Sequence, residues 1–558
     1  MIKHMAAALA LTLVAGLARA ATPPDLVGTE APMASNAIYF VLTDRFVNGD
    51  PSNDHRDQGG AHRSFDIPVP GAPPGESANI GYLGGDFKGV LDNAGYIRGM
   101  GFGAVWITPI VDNPDQAFTG GDPVSWGSKF TDRGKTGFHG YWGVNFYKLD
   151  EHLPSRNLDF RQFTAAMHQA GLKVVQDIVA NHGSPAFSMP VRQPQFGQIF
   201  DKDGKLIADQ QNLPPYRLDP VRNPLHRFYH AYDDLVQLSN NDDQNPAVLD
   251  YFVGAYEQWV DQGADAFRID TISHMPTAFW KQFAARIRAK HPGFFMFGEA
   301  FDYSPDNIGQ YTWPSSGSIS VLDFPLRGRL AEVFEHPGSD YAQLLDRLYL
   351  TNGPYQNPYE LVTFYDNHDM ARLAASDAGF IDANNFLFTA RGIPAIYYGS
   401  ETGFERGKAE HQGNRNYYGQ QRIDAASNSP IYRQLKRIAR LRENTPALQR
   451  GLMLPLRFAG NRAAFYRVYQ HGDTHQIALV LLNKGDAAAP FDVSDYLQAG
   501  RWTPALGGSA IDVAAGGHLR ATVAAHGVQV WLLDAVATRP DLVAELTRLM
   551  QERGHPQR

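Results

Sequence analysis

Cysteine is absent from the 558-residue sequence. The chain therefore has no disulfide bonds, and no lipid-anchored cysteine can follow an export signal. Positive charge is also scarce, because Lys and Arg number 50 against 58 Asp and Glu, the net charge is −8, and the lysines are not clustered. This charge pattern argues against nucleic acid or an anionic membrane as a partner.

A long apolar run lies at the N-terminus. The residues MIKH at 1–4 precede an apolar stretch at 5–18, and Ala18-Arg19-Ala20 has the A-x-A pattern of a cleavage site. The stretch is too short for a stop-transfer helix. We interpret residues 1–20 as a secretory signal peptide and expect an exported protein, periplasmic or secreted, whose mature chain begins near Ala21.

The composition is that of a globular protein with a large core, with 43% apolar and 19% charged residues. Aromatic residues make up 12% of the chain, including 25 Tyr and 8 Trp. Core packing explains any single ring by default, but this many rings also suits clefts in which sugars stack on aromatic faces.

Short apolar strands alternate with helical stretches through most of the chain. Strands are predicted at 38–42, 104–107, 173–179, 266–269, 294–297, 318–322, 361–364 and 393–397, and helices at 158–170, 246–262, 276–290, 341–349 and 431–443. Eight strand–helix units are the count of a closed parallel barrel. The predicted fold class is therefore α/β, with a (β/α)8 TIM barrel formed by residues 21–182 and 246–445.

Three other segments depart from this alternation. A proline-rich, irregular stretch at 183–245 predicts a subdomain inserted after the third strand. Short alternating runs at 446–535 predict a C-terminal antiparallel β-sandwich. The last segment, 536–558, is predicted to be a helical tail, with its apolar stripe formed by Leu542, Leu546, Leu549 and Met550.

Polar residues that could take part in catalysis stand at the ends of four predicted strands. They are Asp177, Asn181 and His182; Arg268, Asp270 and His274; Glu299; and His368 and Asp369. Arg268 and Asp270 are two apart on an extended strand, so the guanidinium would keep the carboxylate ionised and oriented, as a nucleophile requires. A structural ion pair at a barrel rim is the alternative for this stretch alone. Four such strand ends on one barrel face favour a catalytic site.

A turn after the first strand is rich in oxygen-bearing side chains. Asn48, Asp50, Asn53 and Asp54 fall within seven residues, a composition that suits a hard cation such as calcium. An ordinary Asx-rich turn is the alternative interpretation.

Four segments together resemble the signatures of the α-amylase family, glycoside hydrolase family 13, and they occur in the family's order. They read VVQDIVANH at 174–182, GADAFRIDTISH at 263–274, FGEAF at 297–301 and FYDNHD at 364–369. The resemblance extends over 38–443 and is closest to the bacterial secreted amylases related to the cyclodextrin-forming branch.

The resemblance implies three catalytic roles. Asp270 would be the nucleophile that forms a covalent glycosyl-enzyme, Glu299 the acid/base, and Asp369 a ligand of the sugar hydroxyls. A retaining mechanism needs two carboxylates about 5–5.5 Å apart, one ionised and one protonated. Arg268 would supply the first condition, and the apolar run before Glu299 would supply the second by raising its pKa.

The resemblance also implies substrate and metal ligands. The substrate-binding residues would be His139, Tyr141, Trp142, His182, Arg268, His274 and His368, with Asp177 as a structural aspartate. A calcium ion would be held by Asn48, Asp50, Asn53, Asp54, Gly84 and Asp86, and a second calcium by Asn181, Asn240 and His274. Two positions depart from the family: Ser273 replaces a frequent lysine, and Asn240 replaces an aspartate.

The predicted function is hydrolysis of α-1,4-glucosidic bonds in starch and maltodextrins to linear maltooligosaccharides by a monomer. A transglycosylase or cyclomaltodextrin-acting enzyme of the same family is the alternative, and the intact catalytic set argues against a sugar-binding protein without activity. Cyclising relatives carry an aromatic residue near the stretch aligned with 235–237, where this chain has no ring nearer than Tyr232. They also carry further β-domains, so we expect linear products with α-anomeric retention.

Overall fold

A computed structural model of the protein describes residues 24–554. The predicted signal peptide at 1–20 lies outside the described residues. Among the residues that are described, no helix is both long enough and apolar enough to cross a membrane.

Eight parallel strands form the barrel. They are β1 Ile38–Val41, β2 Ala104–Ile107, β3 Lys173–Ile178, β4 Ala266–Ile269, β5 Phe295–Gly298, β6 Ser320–Val321, β7 Val362–Thr363 and β8 Ile393–Tyr397. Their order in the sheet is β6-β5-β4-β3-β2-β1-β8-β7, and a parallel bridge between Leu322 and Val362 links the two edges. The strands are short, buried, apolar runs, as strands covered on both faces require. The predicted α/β barrel is confirmed.

The helices cover the outside of the barrel. They are α1 Phe87–Asp92, α2 Ala94–Met100, α3 Phe160–Gln169, α4 Pro246–Val260, α5 Thr277–Lys290, α6 Phe324–Glu335, α7 Asp377–Thr389, α8 Pro430–Glu443 and α9 Pro446–Arg450. Shorter helices at Thr43–Phe46, Pro305–Gly309 and Gln420–Ala425 lie within loops. Most begin at a side-chain cap, such as the capping box of Asp159 and Gln162 at α3.

The prediction of a helix at 341–349 was wrong. The structure has only a 3-10 turn there, Tyr341–Leu344, and the helix that follows β6 is α6, which starts directly after the N-cap Asp323. Tyr341 is instead fixed by the C-terminal domain, since its N–H donates to the carbonyl of Gly460. Helix α7 has no counterpart among the predicted helices.

The segment 183–245 is built from short hairpins and irregular chain. His182–Pro185 pairs with Leu238–Asn240, and Gln198–Phe200 pairs with Leu206–Asp209 across the turn at 201–204. Both pairs are antiparallel. The first pair joins the end of β3 to the far end of the segment, so the whole segment stands over the C-terminal face of the barrel.

Two antiparallel sheets follow the barrel. The larger contains β9 Leu452–Ala459, β10 Arg462–His471, β11 Thr474–Asn483, β13 Gly500–Pro504, β14 Ile511–Val513 and β16 Gly527–Leu533; the smaller pairs β12 Ala489–Val493 with β15 Leu519–Val523. Helix α10, Pro540–Gly554, packs on this domain through buried Leu542, Leu546 and Leu549. The predicted C-terminal sandwich is confirmed.

Candidate active site

A fully buried guanidinium organises the C-terminal face of the barrel. Arg268 lies 2.9 Å from Asp177 Oδ1, 2.8 Å from Asp270 Oδ1 and 2.7 Å from Glu299 Oε2. Strand register accounts for this convergence, because Arg268 of β4 pairs with Asp177 of β3 on one side and with Phe297 of β5 on the other. One side chain therefore brings together the two carboxylates predicted to react.

Asp177 is held by donors on three sides. Besides the arginine, the indole of Trp106 donates to its Oδ2 at 3.0 Å and the hydroxyl of Tyr141 donates to the same atom at 2.7 Å. Burial raises the pKa of Asp177 to about 7, against the lowering effect of Arg268. No solvent reaches this carboxylate, so its part is to fix the orientation of Arg268 and Tyr141.

Glu299 has the environment of a proton donor. Burial raises the pKa of its carboxyl well above the usual range, opposed by Arg268 and reinforced by Asp369. Its Oε2 faces the guanidinium, whereas its buried Oε1 has no hydrogen-bond partner among the described residues. A protonated Oε1 that faces the cavity can donate to a leaving oxygen.

Asp369 lines the same cavity as Asp270 and Glu299. Its Oδ1 is 2.6 Å from Arg415, and its Oδ2 is 3.1 Å from His368 Nε2. Burial raises the pKa of Asp369, and Arg415 opposes that shift. The guanidinium of Arg415 also contacts Glu410 at 2.9 Å, so this part of the lining is a network of charged groups rather than a single carboxylate.

The residues predicted to bind sugar surround a cavity of about 360 Å³. Its lining includes His139, Tyr141, Trp142, His182, Asp270, Glu299, His368 and Asp369. Tyr141 stacks on His368 with ring centroids 5.2 Å apart, and His182 Nε2 lies 3.9 Å from Asp270 Oδ2. Burial lowers the pKa of both His182 and His368, so both rings are neutral hydrogen-bonding groups at neutral pH.

Two predicted sugar ligands, Arg268 and His274, are absent from the described cavity lining, and the Arg268 side chain is fully buried. His274 Nδ1 lies 2.8 Å from Asp234 Oδ1, and the hydrogen bond that the imidazole donates to this carboxylate raises the pKa of the imidazole. Thr271 lies in that lining instead. The structure thus gives the predicted role of the His274 side chain no support.

Several cavity residues were missed by the sequence reasoning. They are Phe130, Asp132, Lys135, Leu238, Thr271, Phe301, Glu410 and Arg415, whereas Leu235 and Val236 belong to the stretch 235–237 that was expected near the glucan. Phe301 carried a usable signal, since it follows Glu299 within a family-like segment. Phe130 carried none: its ring is 82% exposed and its φ is +55°, a backbone state that bulky residues rarely adopt.

The predicted calcium turn is assembled, although its carboxylates do not converge. Asp86 caps α1 and accepts from the N–H groups of Gly49 and Asp50, while Asp54 pairs with Arg56. Within the described residues, no group of three or more His, Cys, Asp or Glu side chains could hold a metal. The buried Oδ1 atoms of Asn48 and Asn53, however, have no partner there.

Those orphaned oxygens lie beside the other predicted ligands. Asn48 Nδ2 donates to Asp54 Oδ1 at 2.7 Å, and Asn53 Nδ2 donates to Asp86 Oδ2 at 3.3 Å. A Cβ on Gly84 would lie within 2.4 Å of atoms of both Asn48 and Asp54, so only glycine fits this close approach. Amide and carboxylate oxygens are donors that calcium accepts, and the residues present fit that ion.

A carboxylate that was not predicted lies at the second predicted calcium site. Asp234 accepts from Asn181 Nδ2 at 2.9 Å and contacts His274. The amide of Asn240 donates to the carbonyl of Tyr232 at 3.4 Å, and its backbone pairs with His182. The buried Oδ1 of Asn181 has no partner among the described residues.

Comparison with known families decides the classification. A family model described as the alpha amylase catalytic domain matches residues 40–437. The chain belongs to the α-amylase family.

Similar proteins and structures come from two activities. The cyclomaltodextrin glucanotransferase of Niallia circulans is 30% identical over 569 residues, covering 96% of this chain and 73% of the relative, and that of Thermoanaerobacterium thermosulfurigenes is 28% identical, covering 98% and 74%. The structure of CldA, described as the first cyclomaltodextrin glucanotransferase with a three-domain ABC distribution, matches with a TM-score of 0.70 at 30% identity, covering 90% of this chain and 99% of that one. The α-amylase of Geobacillus thermoleovorans complexed with acarbose matches with a TM-score of 0.67 at 25% identity, covering 90% and 99%.

The similarity to CldA overturns one premise of the sequence analysis. We expected further β-domains to distinguish the cyclising relatives. CldA, however, is a cyclomaltodextrin glucanotransferase with three domains, and the structure of this member of the α-amylase family matches 99% of it. The number of domains therefore does not separate hydrolysis from cyclisation.

We predict that Asp369→Asn moves the alkaline limb of kcat/KM to lower pH. Activity needs a protonated Glu299, so it falls as pH rises through the pKa of that carboxyl. The negative charge of Asp369 is one cause that raises this pKa, and removing the charge lowers it. The residual activity of Asp369→Asn on a maltooligosaccharide, followed across pH, gives the position of the limb independently of its height.

His182→Gln is the matched control for this profile. His182 is a neutral cavity residue whose pKa burial already lowers, so its replacement changes activity without changing the charge near Glu299. A limb that stays in place or moves upward in Asp369→Asn would contradict the proton-donor assignment of Glu299.

Proposed function

We propose that the protein cleaves α-1,4-glucosidic bonds of starch and maltodextrins with retention of anomeric configuration. One observation carries the proposal: the buried Arg268 contacts both Asp270 and Glu299, and Glu299 has a raised pKa. Two carboxyl groups with different protonation states on one arginine are what a retaining glycosidase uses.

In the first step Asp270 attacks the anomeric carbon of the bound glucose unit. The C1–O bond to the leaving sugar breaks, and Glu299 transfers its proton to that oxygen, so a glycosyl-enzyme ester on Asp270 remains. Tyr141 and His368 pack around the reacting sugar, and Asp369 accepts hydrogen bonds from its hydroxyls as the ring flattens.

In the second step Glu299, now ionised, removes a proton from an acceptor hydroxyl. The acceptor oxygen attacks C1 and the ester bond to Asp270 breaks, which restores both carboxyl groups. Water as acceptor gives hydrolysis, and a sugar hydroxyl gives transfer. The site chemistry is identical for both, so the acceptor is selected by what the cavity mouth binds.

We propose that water and linear sugars are the acceptors, so that the products are linear maltooligosaccharides. Leu235 and Val236 line the cavity mouth, whereas Tyr232 is absent from the described lining and stacks on His230. Without a ring at 235–237, a long glucan has less reason to fold back on itself. A cyclodextrin-forming transferase is the second candidate, favoured by the relatives of that activity that cover nearly the whole chain.

Azide should distinguish the roles of the two carboxylates. In Asp270→Gly, azide fills the freed space and attacks α-maltosyl fluoride directly, so we expect the inverted β-maltosyl azide. In Glu299→Ala the fluoride still leaves without protonation, and azide attacks the glycosyl-enzyme to give the α-maltosyl azide. Nuclear magnetic resonance of the products identifies the anomer.

Each variant serves as the control for the other. The same azide anomer from both, or an Asp270→Asn enzyme that keeps a tenth of native activity on starch, would overturn the assignment. The expected loss for Asp270→Asn is about four orders of magnitude or more.

The early products of soluble starch test the choice between the two candidates. We expect linear maltooligosaccharides from the native enzyme, and an increased share of cyclodextrins from Leu235→Tyr, which puts a ring at the mouth. Chromatography after brief digestion measures both, with Leu345→Ala, an exposed apolar position outside the described cavity lining, as control. Cyclodextrins as the main early product of the native enzyme would favour the second candidate.

We also propose that calcium stabilises the fold. Asn48, Asn53, Asp54 and Asp86 would hold one ion beside Gly84, and Asn181 with Asp234 and His274 would hold another. Calcium there supplies no catalytic chemistry; it would tie the first βα loop, and the inserted segment, to the barrel face.

We propose that the chain is exported, on the basis of its N-terminal motif, and that it is a monomer.

The melting temperature should rise with calcium concentration, because the ion binds the folded state only. Asn53→Ala removes an orphaned amide oxygen and should weaken the response. Asp203→Ala, in the exposed Asp-rich turn of the hairpin at 201–204, is the matched control and should keep it. Scanning calorimetry with calcium and with excess chelator gives the comparison, and identical curves would refute the proposal.

A further inference from the structure

Two aromatic side chains stand exposed directly after the proton donor. Phe301 is 51% exposed and Tyr303 is 44% exposed. Their ring centroids are 6.3 Å apart, and both rest on the buried ring of Phe324, at 4.7 Å and 6.0 Å. Exposed rings cost free energy in water, and two in succession at the edge of a cavity are typical of a binding surface.

The turn that carries these rings is rigid. The carboxylate of Asp302 accepts from the N–H of Ser304 at 2.7 Å and from the side-chain amide of Asn307 at 2.6 Å. Tyr303 also lies against Gly328 of α6, where a Cβ would be 3.2 Å from its ring. The tyrosine ring therefore contacts Phe324 and Gly328, and the rest of it is exposed to solvent. This makes the ring a preformed binding surface.

The position of the rings relative to the carboxylates gives their side of the cleft. Phe301 lines the catalytic cavity together with Glu299. Tyr303 is absent from that lining, but its ring packs edge-on against Phe301, so it lies beside the cavity. In the proposed reaction Glu299 protonates the leaving oxygen, and we place the two rings that follow it beside the leaving sugar. Asp369, Arg415 and Glu410 form a separate charged cluster in the same lining.

We propose that Tyr303 forms an outer stacking subsite for the acceptor end of an α-1,4-glucan, one step beyond Phe301. The inference rests on the proposed function. The ring centroids lie 6.3 Å apart and the ring planes meet at 84°, so a glucan chain that turns between consecutive units can contact both rings in succession. A glucan held on this track presents its terminal hydroxyl to the glycosyl-enzyme in place of water.

Tyr303 would consequently favour transfer over hydrolysis. The held hydroxyl gives its proton to the Glu299 carboxylate, its oxygen bonds to C1, and the bond from C1 to Asp270 breaks. Water competes for the same carbon, so any loss of acceptor binding shifts the products toward hydrolysis. The shift depends on acceptor length, because a short acceptor does not reach Tyr303.

The test measures transfer from α-maltosyl fluoride to glucose, maltose and maltotriose. For Tyr303→Ala we expect the acceptor KM for maltotriose to rise about three- to tenfold, the magnitude of one lost ring contact. The ratio of transfer to hydrolysis products should fall with it. The effect should be smallest with glucose. Tyr303→Phe keeps the ring and should restore the native values.

Two further variants exclude a structural origin. Tyr303→Leu keeps bulk over Phe324 without a stacking face and should behave as Tyr303→Ala does, with an unchanged melting temperature. Leu345→Ala removes an exposed apolar side chain remote from the cavity lining and should leave all ratios as in the native enzyme. Equal transfer ratios for Tyr303→Ala and the native enzyme with every acceptor would overturn the proposal.

Failure of the proposed function has a different signature. An enzyme that releases no product from α-maltosyl fluoride or starch would disprove the function itself. In that case calorimetric titration of Glu299→Gln with maltotriose and maltoheptaose still tests the subsite. If maltoheptaose binds more tightly than maltotriose and Tyr303→Ala removes this difference, the subsite is supported. If the difference persists in Tyr303→Ala, the subsite is refuted.

Discussion

The structure depends on one buried cation, the guanidinium of Arg268, placed among three carboxyl groups. Removing ions from water is costly unless each is paired, and one positive charge cannot neutralise Asp177, Asp270 and Glu299 together. Burial raises the pKa of both Asp177 and Glu299, and the neighbouring carboxylates add to that shift while Arg268 opposes it. Burial and the surplus of negative charge together give Glu299 the character of a proton donor.

The barrel supplies this arrangement through strand register rather than through loop design. Parallel pairing of β3, β4 and β5 places Asp177, Arg268 and Phe297 in one row, and the next residues along β4 and β5 lead to Asp270 and Glu299. All of these strands end at the same face, so carboxylates distant in sequence meet without long-range loop packing. The apolar strand residues around them exclude water and strengthen each contact.

The difference between local strand patterns and contacts between distant loops explains what could be predicted from sequence. The barrel, the sandwich and the polar strand ends are local patterns, so their residues were found. Contacts between loops were not, because Arg415 meets Asp369 across 46 positions and Asp234 meets His274 across 40. Phe130 and Val236 line the cavity with positive φ values, a backbone state set by packing and not by their own preferences. Asp234 was not predicted beside Asn181 and His274 for the same reason.

The chemistry of the carboxylates is common to hydrolysis and transfer, so selection between them lies at the mouth of the cavity. Two features there act in opposite directions. Leu235 and Val236 offer no ring around which a glucan could turn back, which disfavours cyclisation. Phe301 and Tyr303 offer two exposed rings on the leaving-group side, which favours a held acceptor. Under the function proposed above, an enzyme with both features would retain sugar acceptors but keep them extended, so we expect linear transfer from the same surfaces that disfavour ring closure.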